Sequence, residues 1–122
     1  MSKVNTAVMR SLKEFMEVNP SMPVSQAYVL TLVANNEGLS LVELSNLSGL
    51  RNATISRYLL DLSDRLRTGE DGYKLVTREI DPMELRRNMY TLAPKGRHLL
   101  KRVAGHFKHI LKEDAVVDIS RP

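Results

Sequence analysis

The chain has no cysteine and no tryptophan, and only 5% of its residues are aromatic. Without cysteine there is no disulfide framework, no thiolate metal site and no sulfur nucleophile. No apolar run approaches the roughly 18 residues that cross a bilayer, so no membrane partner is expected. The opening stretch, MSKVNTAVMRSLKEFMEV, has scattered charges instead of the unbroken apolar core of a signal peptide. A cytoplasmic, reducing location is therefore the default expectation. The six glycines are scattered at turns, and no phosphate-cradling loop, nucleophile elbow or HExxH helix is present. The sequence predicts neither an enzyme nor a bound cofactor. His106 and His109, spaced i to i+3, could share a metal. With no cysteine or carboxylate completing a set, a solvated or interface role is expected for them and for His98.

What is present is one domain's worth of chain: 122 residues, 43% hydrophobic and 26% charged, enough for a modest single core. The net charge of +4 is unevenly spread. Residues 1–50 hold three Lys/Arg against four Asp/Glu, residues 51–112 hold fourteen against seven, and the last ten hold one against three. A segregated basic region suggests a polyanionic partner.

Apolar periodicity predicts a helix over residues 4–17, with Val4, Val8, Leu12 and Phe15 on one stripe. Asn19-Pro20-Ser21-Met22-Pro23 breaks it. A second helix is expected from about 25 to 36, with Ser25 as N-cap and Glu37-Gly38 ending it. Ser40-Leu41-Val42-Glu43 is a capping box that launches a short third helix with Leu44 and Leu47 inward. After the tight turn Ser48-Gly49-Leu50, Arg51 or Asn52 starts a fourth helix, asparagine being a good N-cap. Ile55, Leu59, Leu62 and Leu66 should form its buried stripe. The period then changes. Residues 73–80 read as a strand, Asp81-Pro82 as a turn, and residues 86–92 as the returning strand. Pro94 suits a first helical turn, and Leu99, Leu100, Val103, Phe107, Ile110 and Leu111 form a last stripe. The tail, residues 113–122, reads as irregular.

Two short helices about a tight turn, followed by a two-stranded hairpin, make a winged helix-turn-helix: mainly α with a small β-hairpin. In their order the segments LSLVELSNLSGLRNATISRYLLDL and IDPMELRRNMYTLAPKG resemble the MarR family of bacterial transcription regulators. The first is similar to that family's recognition unit, where small hydroxyl residues precede an arginine. The second is similar to its wing, with paired arginines, a leucine and a Lys-Gly entering the terminal helix. The resemblance covers most of the chain. It implies a single winged-helix domain over residues 1–122, with N- and C-terminal dimerisation helices at 1–18 and 94–112 and a DNA-binding lobe at 24–93. It also implies a homodimer on a roughly palindromic operator. The family often senses small aromatic or phenolic effectors; this chain has no evident aromatic cage, so an effector is left unknown.

On the fourth helix, 100° per residue sets Arg57 and Ala53 opposite Ile55, Leu59 and Leu62, with Thr54 and Ser56 at the flanks. Recognition helices use their first residues on base edges, and arginine can donate two bonds to guanine. A bland alternative is a solvated face with Arg57 balancing Asp61. In the wing, Arg78, Arg86 and Arg87 are candidates for a narrow minor groove, or else for keeping a hairpin edge soluble. Adjacent arginines face opposite sides of a strand, so one of Arg86 and Arg87 should reach DNA while the other meets phosphate or an acid such as Glu79 or Glu84. Asn52 and Lys74, with Ser40, are candidate phosphate contacts, and Arg51 beside them is a further candidate DNA contact. The expected function is a sequence-specific duplex-DNA-binding regulator. The alternatives are a winged-helix adaptor or inhibitor that holds proteins, and a DNA-binding replication, packaging or recombination factor.

Overall fold

Proline or a capping box marks the helix starts at Val24, Leu41 and Pro94. The computed structural model describes residues 2–110. Its elements are α1 (Ser2–Val18), α2 (Val24–Asn35), α3 (Leu41–Ser48), α4 (Asn52–Leu62), β1 (Val76–Asp81), β2 (Glu84–Leu92) and α5 (Pro94–His106). The described residues fall into two compact units: residues 2–21 with 98–110, and residues 22–97.

In the second unit α2, α3 and α4 pack on one another. Val29, Leu30, Val33, Leu44, Ile55, Leu59, Leu62 and Leu75 there are all almost completely buried. Each such aliphatic side chain contributes about 1.5–3 kcal/mol on leaving water. The capping box forms as read: Ser40 Oγ accepts from the Glu43 amide, and Glu43 Oε1 accepts from the Ser40 amide. Gly49 then takes the left-handed conformation, φ 73°, that ends α3 and turns the chain into α4.

β1 and β2 pair antiparallel from Val76↔Leu92 to Ile80↔Asn88, with an irregularity before the closing pair Asp81↔Glu84. Asp81 Oδ1 accepts from the Met83 amide at 2.8 Å, an Asx turn that closes the tip around Pro82. Leu39 adds a single bridge on Tyr90: the Gly38 amide donates to the Tyr90 carbonyl and the Tyr90 amide to the Leu39 carbonyl, at 2.9 and 3.0 Å. α5 starts at Pro94, where the absent amide costs nothing. A Cβ at Gly96 would collide with the Leu75 carbonyl, so the helix needs glycine to lie this close to the start of β1.

In the first unit Ala7 and Ser11 are the buried residues of α1, and Ser11 Oγ donates to the Ala7 carbonyl at 2.7 Å. Glu14 Oε1 accepts from Arg102 Nε at 3.0 Å and Oε2 lies 2.8 Å from His106 Nε2. These bonds, His106 first and Arg102 second, hold the Glu14 carboxyl below its ordinary value.

Several sequence expectations are corrected. α2 begins at Val24 after Pro23, with no side-chain cap; the Ser25 hydroxyl is instead bonded to the Tyr58 hydroxyl at 2.6 Å. α2 ends at Asn35, ahead of Glu37-Gly38. Leu47 points outward, 52% exposed, because eight residues of helix offer only one face to α2 and α4. Arg51, not Asn52, occupies the N-cap of α4, and no side chain caps it. Leu66 lies beyond α4 and off its stripe. Residues 73–75 precede β1, since Tyr73 and Leu75 amides bond back to the Asp61 and Leu62 carbonyls, each at 2.8 Å. β2 starts two residues earlier than expected, at Glu84. On α1, Val4, Val8 and Leu12 are exposed, so that stripe is not covered within the described residues. α5 ends at His106, and Leu111 with the tail lies outside the described residues.

Candidate nucleic-acid interface

Helix α4 is seated by polar contacts as well as by its leucines. The buried Gln26 donates through Nε2 to Asp61 Oδ2 at 3.3 Å and approaches the Tyr58 carbonyl at 3.5 Å. Together with the Ser25–Tyr58 bond, these fix the rotation of α4 about its axis. A glutamine inside the apolar run SQAYVLTLVAN was the signal in the sequence for this contact, and it was missed. The outward face of α4 then carries Arg51, Asn52, Ala53 and Ser56 exposed, with Thr54 and Arg57 half-buried. Asp61 does not balance Arg57: its carboxylate takes the Gln26 amide instead. Arg51 and Arg57 make no ion pair among the described residues.

The segment after α4 folds back on itself. Leu66 and Gly69 amides close a small loop, and the Gly72 amide returns to the Asp64 carbonyl at 2.9 Å. A Cβ at Gly72 would press on the backbone of residues 63–65. Lys74 follows in the left-handed region, φ 57°, with an exposed side chain; for a lysine this is an uncommon, strained conformation. It shares a shallow groove with Arg78, Thr77 and Asp64.

The wing arginines divide. Arg78 pairs with Asp64 at 2.9 Å, both about half exposed. Arg87 donates to Asp81 at 2.8 Å and also to Glu43 of α3. Arg86 is exposed and makes no ion pair among the described residues; it lines one groove with Ser40 and Asn88. The expected acidic neighbours, Glu79 and Glu84, are thus replaced by Asp81 and Glu43. The Asp81 carboxyl is lowered first by the Met83 amide and then by Arg87. Glu43 is lowered first by the Ser40 amide and then by Arg87. On the other side of the wing, Glu37 accepts from the Leu92 amide at 2.7 Å and from Arg97 at 2.8 Å, and these bonds lower its carboxyl too.

This lobe itself is almost neutral. Residues 51–93 hold eight Lys/Arg against seven Asp/Glu, while residues 94–112 hold six and no acid. The excess therefore lies mostly in residues 94–112. No group of three or more metal-ligating side chains occurs among the described residues, and no helix there is long and apolar enough to cross a membrane.

No family model and no curated protein sequence matches the chain. Solved structures do. RV1404 of Mycobacterium tuberculosis aligns over 95% of this chain and 74% of its own, at 19% identity and a TM-score of 0.69. The S. aureus MepR–DNA complex aligns over 94% and 84%, at 18% identity and a TM-score of 0.67. The MarR family transcription regulator SP03579 aligns over 88% and 63%, at 20% identity and a TM-score of 0.60. At these identities the likeness is one of architecture, and it is consistent along the chain: the protein has the winged-helix fold of the MarR-type regulators.

Proposed function

We propose that the protein is a sequence-specific, duplex-DNA-binding transcription regulator that acts as a homodimer. In this reading the N-terminal face of α4 enters the major groove and the wing lies at the adjacent minor groove. The observation that carries it is the outward face of α4, where Arg51 and Arg57 stand without ion pairs among the described residues on a helix seated by Gln26 and Tyr58. A cation held out on a fixed helix meets either water or a polyanion. Residues of 94–112 that reach phosphate would add the charge that the lobe itself has little of. The exposed apolar line Val8, Met9, Leu12 and Met16 on α1 supports the dimer, since such a patch on a small protein marks an interaction surface.

Binding to random duplexes at low salt, followed by selection of bound sequences, tests the proposal. A palindromic site with half-sites about one helical turn apart is expected. On that site Arg57→Ala should cost about 1–3 kcal/mol and relax one position. An equal, small loss on selected and scrambled DNA would reduce Arg57 to a backbone contact. Absence of any duplex binding at low salt would transfer the fold to a protein-holding role.

A further inference from the structure

The tip of the wing is apolar. Ile80, Met83 and Leu85 are 62%, 91% and 78% exposed, clustered about Pro82, where hairpin tips usually carry polar residues. The tip is also tied back at its base. Asp81 is bonded to both the Met83 amide and Arg87, and Arg87 reaches across to Glu43 on α3. Nothing among the described residues covers this knob, which leaves most of three apolar side chains in contact with water.

We propose that the tip is a wedge: Met83 and Leu85 enter the minor groove of duplex DNA and partly unstack one base step. The inference rests on the DNA-binding reading above and deepens it. Two observations favour DNA as the occupant. Arg86, next to Leu85 in the chain, is exposed and free of ion pairs among the described residues, so the apolar tip has a cation at its root to meet a phosphate or a groove wall. The recognition face of α4 belongs to the same compact unit. Because Arg78 and Arg87 are engaged with Asp64, Asp81 and Glu43, the wing's contact with a duplex comes chiefly from shape and apolar insertion. Met, Leu, Ile and Pro are the side chains that wedge between base pairs, and the duplex kinks by about 20–90° when they do. Glu79 and Glu84 are exposed on the hairpin as well. They disfavour a narrow minor groove, where phosphates crowd, and tolerate a groove widened at an unstacked step. The wedge should accordingly select flexible pyrimidine–purine steps beside the half-site.

The test uses the full chain, a duplex selected from a random pool, and the double variant Met83→Ala, Leu85→Ala. Both side chains are exposed, so the melting temperature should not fall. The variant is expected to lose about ten-fold or more in affinity and the anomalous mobility of circularly permuted, bent fragments. It should also lose the brightening of 2-aminopurine placed at the unstacked step. Arg86→Ala should weaken binding but keep the bend. A double variant that binds and bends DNA as the wild type does would overturn the wedge and make the tip a protein-facing surface. Failure of the wild type to bind any duplex would remove the wedge together with the functional reading, and differs visibly from a loss confined to the variant.

Discussion

Arg86 and Arg87 are neighbours with the same side chain, and the fold gives them opposite tasks. Arg87 closes on Asp81 and Glu43, so its guanidinium joins the wing to α3; Arg86 projects into solvent beside Ser40 and Asn88. The two should therefore separate experimentally. Arg87→Ala is expected to lower the melting temperature and to speed amide exchange in β2, because two carboxylates lose their counter-ion together. Arg86→Ala should leave melting unchanged. If Arg86 meets phosphate, its loss reduces the slope of log affinity against log salt by about 0.9 per protomer. Equal melting temperatures for the two variants would show that the Arg87 pairs are too solvated to matter.

At the scale of elements, the wing is held to the helical body by carboxylates. Glu37 binds the Leu92 amide, and Glu43 and Asp81 share Arg87; all three have lowered carboxyl pKa values. A depressed folded-state pKa means that the unfolded chain takes up protons first. The stabilisation is complete above the ordinary carboxylate range of roughly 4 to 4.5 and is lost as pH falls through the lower folded values. Melting temperature should thus fall as pH drops below about 4, and Glu43→Gln should flatten that acid limb relative to the wild type. An unchanged limb would mean that Glu43 contributes nothing through its charge. The element boundaries follow the same logic of local bonds. The capping box of α3 was legible because both partners sit within four residues. The start of β1 was not, because it is displaced by bonds from Tyr73 and Leu75 back to the end of α4.

For the whole molecule, α1 poses the largest energetic question. Its buried residues are the small Ala7 and Ser11, whereas Val4, Val8, Met9, Leu12 and Met16 remain exposed. In the dimer proposed above these larger side chains are covered by a second copy. Leu12→Glu sets a charge in that line and is expected to convert the dimer to monomer by light scattering, weakening association at least about ten-fold. It should abolish binding to a two-half-site duplex while preserving the circular dichroism of the fold. A variant that stays dimeric would place the association surface elsewhere.

Sequence by itself determined the number and order of helices, the capping box, the tight turn at Gly49, the hairpin around Asp81-Pro82, and which face of α4 is apolar. These depend on periodicity and on partners a few residues apart, which the chain states directly. Tertiary structure alone decided what each arginine touches, that Leu47 faces outward, that Ser25 bonds Tyr58 instead of capping α2, and that the wing ends in an apolar tip. Those outcomes turn on partners such as Glu43 with Arg87 or Gln26 with Asp61, tens of residues apart in the chain. Charge counted along a sequence cannot distinguish a guanidinium closed on its own protein from one left for a partner, because the two differ only in what the fold brings within reach.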